Sequence, residues 1–482
     1  MLDPADRFVL SKLLGPGGLV EAAEDLAPYQ TPARYASGKA AAVLRPANTD
    51  EVSAIVGYCV RRGLSFVPQS GNTGLVGGST PDSSGTQLVI SLERLRTPLE
   101  VRPLDRVCIV GAGVRLSTLD AALEPHGLVL PIDLGADPMI GGMAATNTGG
   151  ARFLRYGDMR RHILGLEVVL ADAAGTVLDL TSDLRKDNAR LDLRQIFIGS
   201  SGAFGIITKA VIEVHRRPIE TAAALLVPTD DDAVSRILIA LERDVGASLS
   251  AFEGMSRAVL ARAFHHAPGL RNPFPGGVIP PYVLLVELSR TGRVEGEPPL
   301  DEVLQAALGG MLDQAQSPLE DALFGPPQAM WAVRHALSEG LRAAGPVIGL
   351  DLSFARSKVM AVRRALSTEL QGLFPEFELC DFGHVGDGGV HFNLVRQDAS
   401  VPFDAARAEA LKAHVIRRAV KDFGGSFSGE HGLGPILQSV YDQLTPTLIK
   451  RYAGRLGAAF DAAPSAVVRF SELDNQNSGS DR

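Results

Sequence analysis

The order of apolar and polar positions divides the chain in two. Up to Pro218, short apolar runs are separated by glycine-rich turns; beyond about residue 220, apolar strands alternate with long helical stretches, the pattern of an α+β domain. Residues 1–30 read as helical and peripheral. The run Ala41–Pro46 reads as a strand leading to Asn48, an N-cap with Glu51 three residues on. Val52, Ile55, Val56, Cys59 and Val60 then share one helical face, and Gly63 ends that helix. Leu64–Val67, Gln87–Ser91 and Arg106–Gly113 read as strands. A second helix capped by Ser117, with Asp120 behind it, runs to Gly127. Leu164–Leu170 and Thr176–Leu180 form a hairpin around Asp172–Gly175, and Lys209–Val214 is a further strand. In the second half, Ala222–Val227, Val283–Leu288, Val347–Leu352 and His391–Val395 read as strands. The Pro- and Gly-rich loop 267–281 is a candidate lid, and Ser471–Arg482 a frayed polar end.

Three glycine-rich turns stand out. The first, Pro68–Thr80, follows a strand and holds Gln69, Ser70, Gly71, Asn72, Thr73, Gly74, Leu75, Gly77, Gly78 and Ser79, with no charged side chain. Successive N–H groups in such a turn converge into a nest for an anion, which suits the pyrophosphate of a dinucleotide; a plain surface loop is the alternative. The second, Leu130–Gly150, is lean in side chains from Gly141 onward, as a flat ligand or close helix packing requires. The third is Ile198–Thr208. The Gly111-Ala-Gly113 pair lacks the third glycine of a nicotinamide-binding fingerprint, since position 116 is Leu.

Composition narrows the class. The 482 residues allow two or three domains, and 45% hydrophobic with 21% charged residues is ordinary for a globular protein. A net charge of −8 argues against nucleic acid or an acidic membrane surface as the main partner. Cys59, Cys108 and Cys380 show no paired spacing, which points to a reducing, cytoplasmic setting, peripheral to a membrane at most. The N-terminus reads as having no signal peptide, and no apolar run reaches the roughly 18 residues of a membrane span.

Two histidine-bearing stretches add chemistry. Gly383–Asn393 carries His384 and His391, seven apart. An unbroken strand would send them to opposite faces, but Gly386–Gly389 breaks it, so both rings can turn to one point. His391 and Asn393 share a face. Ser428–Gly434 holds Glu430 and His431 side by side in another glycine-rich turn. Two imidazoles and one carboxylate (His384, His391, Glu430) make an open tetrahedral site for a divalent metal such as zinc, with His431 left as a base. Singly, such histidines are usually core or capping residues; together, bedded in glycine, they mark a site.

Pro68–Thr80, Asp133–Gly150, Ile198–Thr208, Gly383–Asn393 and Gly429–Gly434 resemble the signature blocks of the FAD-dependent D-2-hydroxyacid dehydrogenases, with D-2-hydroxyglutarate and D-lactate dehydrogenases closest. These are flavoproteins of vanillyl-alcohol oxidase type. The resemblance spans roughly residues 30–465. It implies an N-terminal segment 1–38, a two-subdomain FAD-binding domain over 39–218 and a ferredoxin-like α+β substrate domain over 219–470 that covers the flavin. It further implies noncovalent FAD, its pyrophosphate on the first block. The ring and adenine portions are expected against Pro131, Asp133, Leu134, Gly141, Gly142, Ala145, Thr146, Asn147, Gly149 and Gly150, and against Gly202, Gly205, Ile206 and Ile207. His384, His391 and Glu430 match metal ligands, His431 the catalytic base and Asn393 a substrate contact. Arg334 and Ser338, one helical turn apart, match positions that grip the substrate's carboxylates. The lysine expected fifteen residues after Arg334 is replaced by Gly349, which leaves a second substrate carboxylate short of a cation and keeps a monocarboxylate such as D-lactate open. Phe460–Pro464 also departs from the family and is expected to touch little chemistry.

The activity implied is oxidation of a D-2-hydroxyacid to the 2-oxoacid by hydride transfer to flavin. Electrons are expected to pass to an electron-transferring flavoprotein or a quinone, and a homodimer is the expected assembly. A weakly catalytic flavin subunit of an electron-transfer complex and an oxygen-using oxidase remain as alternatives.

Overall fold

Asn48 caps the first long helix, Thr49–Arg62, by accepting from the Glu51 N–H at 2.9 Å, and Glu51 reaches back to the Ala47 N–H at 2.8 Å. Gly63 closes it in the left-handed conformation, φ 63°. The computed structural model describes residues 2–35, 37–267, 269–398 and 403–472; the expected frayed end lies mostly outside the described residues. The helix backs a sheet in which Ala40–Leu44, Gln87–Ser91 and Phe66–Gln69 run parallel, with the glycine turn 70–80 leaving its last strand. The N-terminal segment is not peripheral. Leu19–Val20 adds an antiparallel edge strand, and Leu10 and Leu14 of the helix Pro4–Leu14 are buried in the same core as Val52, Ile55 and Ile90.

A second, antiparallel sheet orders Leu99–Arg102, Val107–Gly111, Gly205–Glu213, Ile163–Leu170 and Val177–Leu180. The expected hairpin is present; the expected strand Lys209–Val214 begins four residues early, at Gly205. Ser117 does not cap its helix. The helix Leu116–Leu123 starts one residue earlier, and the Asp137 carboxylate accepts from both the Ser117 N–H and hydroxyl. Gly111 and Gly113 are glycine for packing: a Cβ would fall 2.4 Å from the Leu95 carbonyl oxygen and 2.1 Å from that of Leu92.

Beyond residue 219 the chain builds one antiparallel sheet. The strands Glu220–Pro228, Leu249–Ser256, Tyr282–Arg290 and Leu319–Gly325, with helices Asp231–Val245 and Leu300–Leu312, form a βαββαβ unit in spatial order fourth, first, third, second. That is the ferredoxin-like plan. Phe382–Gly383, Gly389–Arg396 and Val347–Ser353 extend it. Both faces are covered: Ala222, Ala224 and Leu226 enter one core, Ala223 and Leu225 the other. The candidate lid is anchored, because Phe274 is buried against Phe264 and Asn272 bonds the Gly277 carbonyl; Pro268 lies outside the described residues.

Candidate active site

Strand register builds the floor of the site. Val347–Ser353 and Gly389–Arg396 pair antiparallel so that Asp351 faces His391 and Gly349 faces Asn393. With a side-chain period of two, these four residues share one face, while Phe392 and Leu394 turn into the core. His384 follows the short strand Phe382–Gly383, and its carbonyl accepts from the N–H groups of Asp387, Gly388 and Gly389, a tight turn that brings its ring back beside His391. The two rings meet edge to face at 5.3 Å.

Glu430 and His431 are placed by Asp351, whose Oδ2 accepts from both of their backbone N–H groups at 2.8 Å. Three imidazole nitrogens then surround one oxygen. Glu430 Oε1 lies 3.2 Å from His391 Nε2, 3.6 Å from His384 Nε2 and 3.8 Å from His431 Nε2. His431 stacks on His391 with centroids 5.4 Å apart and 11° between planes. Asp351, His391, Glu430 and His431 also present ligand atoms within 4.8 Å of one another. Asp351 is the less suited ligand of the two sets, because its carboxylate already holds the Glu430–His431 backbone.

Glu253, Asp351 and Arg334 set the electrostatics. Glu253, on the strand Leu249–Ser256, is buried and sits 2.6 Å from His384 Nδ1, so Nε2 faces the cluster. Its other oxygen accepts from Arg334 Nε at 2.7 Å. Burial would raise the Glu253 carboxyl, but His384 and Arg334 outweigh it and hold it well below the usual range. Burial likewise disfavours charge on His384, yet Glu253 and then Glu430 raise its pKa well above the ordinary value. Glu430 is held far down chiefly by His384 against burial. Three carboxylates thus collect positive charge at this point. His431 differs: burial lowers its pKa, despite the pull of Asp351.

The glycine turns meet above this floor. A Cβ on Gly142 would lie 3.0 Å from Ser70 Cβ, and one on Gly71 would lie 3.1 Å from Met139 N, so the first two turns close on each other. A Cβ on Gly202 would lie 3.4 Å from Pro68 Cγ. Ser201 Oγ donates to the Leu433 carbonyl, and Gly149 lies beside Glu430, with Oε2 3.5 Å from where its Cβ would be. Among the described residues, the backbone N–H groups of 71–79 have no protein acceptor. A run of unspent donors in a partly shielded loop is what an anionic pyrophosphate would satisfy. A cavity of about 270 Å³ adjoins Pro68 and Gly202 and is also lined by Ala463 and Pro464, so the Phe460–Pro464 segment lies closer to the cradle than expected.

Several expected contacts take other roles. The side chains of Gln69, Asn72 and Ser79 hold the loop rather than face it. Gln69 bonds the Tyr29 and Ser79 carbonyls, Asn72 bonds those of Pro28 and Thr31, and Ser79 donates to Asn72. Asn147 bonds Asp158 and the Arg160 N–H. Ile206 and Ile207 point into two hydrophobic cores, and Gly205 pairs with Leu170, leaving only backbone for a ligand. Asp133 accepts from Arg152, which also grips Glu287 through Nε and Nη2. Pro131 is buried, Leu134, Thr73, Leu75, Ala145 and Thr146 are half-buried, with Leu134 and Ala145 packed against a hydrophobic core, and Gly74 is exposed. Arg334 is turned toward Glu253 and lies over the Phe382 ring at 4.6 Å, and Ser338 is exposed, its carbonyl accepting from Arg342. Glu253, Asp351, Glu287 and Arg152 were not singled out in the sequence. The available signal was an acidic residue inside an apolar strand, as in Leu350-Asp351-Leu352.

Residues 40–181 match the FAD binding domain family and 217–450 the FAD linked oxidases, C-terminal domain. Probable D-2-hydroxyglutarate dehydrogenase of Oryza sativa subsp. indica is 34% identical over 440 residues, covering 90% of this chain and 76% of that one. D-2-hydroxyglutarate dehydrogenase of Stutzerimonas stutzeri is 29% identical, covering 98% and 99%. Among solved structures, p-cresol methylhydroxylase with substrate bound superposes with TM-score 0.76 at 16% identity over 97% of this chain and 96% of that one. An alkyldihydroxyacetonephosphate synthase gives 0.68 at 15%, over 96% and 85%.

Proposed function

The chain belongs to the FAD-dependent D-2-hydroxyacid dehydrogenases, in the vanillyl-alcohol oxidase fold, and from that premise we propose that it oxidises its D-2-hydroxyacid on a divalent cation held by His384, His391 and Glu430. The convergence of three Nε2 atoms on Glu430 Oε1 carries this reading. The donor set suits zinc: imidazole and carboxylate, with Glu253 fixing His384 through Nδ1. Without the cation, the neighbouring carboxylates keep a proton on His384, so binding releases that proton.

FAD, when bound noncovalently with its pyrophosphate on the free N–H groups of 71–79, supplies the hydride acceptor. A cation held by His384, His391 and Glu430 would supply a Lewis acid to the substrate's hydroxyl. The protein's own part is proton transfer and orientation. Negative charge from Asp351, 3.7 Å from Nδ1, favours a proton on that nitrogen and leaves His431 Nε2 to take the hydroxyl proton. Asn393 orients the acid, and Arg334 positions Glu253. We place the FAD-binding part at 39–218 and the substrate part at 219–470, and assign an electron-transferring flavoprotein or quinone as acceptor, with a homodimer as the assembly. Among the described residues, no helix is long and apolar enough to cross a membrane.

Anaerobic mixing with a panel of D- and L-2-hydroxyacids tests the reading. The flavin is expected to bleach with D-substrates, to lose this after chelation and to regain it with zinc. Full bleaching in metal-free protein removes the cation from the reaction.

A further inference from the structure

A cation from the opposite end of the chain lies over Gly349. A Cβ at that position would fall 2.6 Å from Arg34 Nη1, 3.4 Å from Arg34 Cζ and 3.3 Å from Asn393 Oδ1. Any side chain at 349 would therefore displace the guanidinium; glycine is what admits it. The segment bearing Arg34 is tied down on both sides. Asn72 of the glycine turn bonds the Thr31 carbonyl, and the Gly38 N–H returns to the Gln30 carbonyl. Arg34 is exposed, and among the described residues no carboxylate is paired with it.

The position matters because Gly349 and Asn393 lie two residues along their strands from Asp351 and His391. Two residues of strand span about 6.6 Å. The floor therefore has a cluster for a hydroxyl and one carboxylate at one end and, at the other, a guanidinium with no carboxylate partner among the described residues, a spacing that a short dicarboxylate bridges.

We propose that Arg34 determines specificity by binding the distal carboxylate of a dicarboxylic D-2-hydroxyacid, with Gly349 the opening that lets it into the site. This rests on the D-2-hydroxyacid reading above, and it changes the expectation drawn from Gly349. The cation absent from position 349 is supplied by the N-terminal segment, and the site takes a diacid rather than a monoacid such as D-lactate.

The test compares two five-carbon substrates, D-2-hydroxyglutarate and D-2-hydroxyvalerate, by anaerobic flavin reduction. In Arg34→Gln the diacid-over-monoacid preference in kcat/KM is expected to fall about 10- to 100-fold, the range for losing a hydrogen bond to a charged group. Gly349→Ala is expected to lower it in the same direction by expelling the guanidinium. Gly349→Lys together with Arg34→Ala is expected to restore it. An unchanged preference in both single variants overturns the proposal. If the wild-type protein reduces its flavin with no D-2-hydroxyacid, the functional reading fails instead. Glutarate titration followed by flavin absorbance then reads Arg34 directly: binding weakened by Arg34→Gln supports the anion site, and equal binding overturns it.

Discussion

The glycine cradle and the histidine floor bind by opposite means. The cradle uses shape and unspent backbone N–H groups, with its polar side chains turned inward to hold the loop. The floor uses charged side chains on paired strands and on the turns beside them, oriented by second residues: His384 by Glu253, Glu253 by Arg334, Glu430 and His431 by Asp351. A cradle of this kind can hold a cofactor tightly without directing any chemistry. A floor of this kind directs chemistry only while every charge has its partner. Damage to the two should therefore separate, with coenzyme lost from one and turnover from the other.

The largest separation is expected from His431→Ala. Loss of a general base typically costs about 10²- to 10⁴-fold. Anaerobic stopped flow should show flavin reduction slowed by that range, while the purified protein stays yellow. Near wild-type reduction would show that the base lies elsewhere.

Arg152 joins the two regions, and its loss should damage both together. It leaves the end of the second glycine turn, pairs with Asp133 there, and grips Glu287 of the substrate sheet, whose buried carboxylate also accepts from Ser250 and Trp331. Arg152→Ala strands that carboxylate, and breaking a buried pair costs about 3–5 kcal/mol. Thermal unfolding should show a lower Tm accompanied by flavin release. The same pair predicts a pH dependence. Burial pushes the Glu287 carboxyl up, but the Arg152 guanidinium outweighs it and leaves the folded value below the ordinary 4.5. A depressed folded pKa gives stability that is fully present above 4.5 and lost as pH falls below it. The wild-type protein should lose stability on acidification in that window, and Arg152→Ala should lose less. A parallel decline in the two proteins would separate the pair from acid stability.

Legibility in the sequence follows the same division. The glycine turns and the stretches around His384 and His431 were visible because unusual composition is local: many glycines, or a histidine beside an acid, need no tertiary information. The strands Ala40–Leu44 and Gln87–Ser91 were visible from apolar runs alone. Leu249–Ser256 was not, since Glu253 and Gly254 interrupt its pattern, and Glu253 entered the site with it. Arg34 was invisible for another reason. Its place over Gly349 joins positions 315 apart, and only the fold shows that a missing side chain and a distant arginine occupy one volume. Arg334 was read as a substrate contact because the family resemblance implies one, whereas the buried acid it meets lies on the distant strand Leu249–Ser256.

The smallest effect sharpens the comparison most, because it concerns the cradle's own construction. Asn72 has φ 53°, in the left-handed region, and its side-chain amide ties the turn to the Pro28 and Thr31 carbonyls. Glycine tolerates that φ without strain, so Asn72→Gly removes the hydrogen bonds and leaves the backbone at ease. The expected loss is about 1 kcal/mol, as for an ordinary hydrogen bond, measured as a small drop in Tm. Asn72→Ala should cost more, because alanine adds about 1–2 kcal/mol of left-handed strain. If the two variants are equally stable, the turn does not need its positive φ. If both match the wild type, Asn72 does not hold the segment that carries Arg34, and the cradle and the far end of the floor are independent.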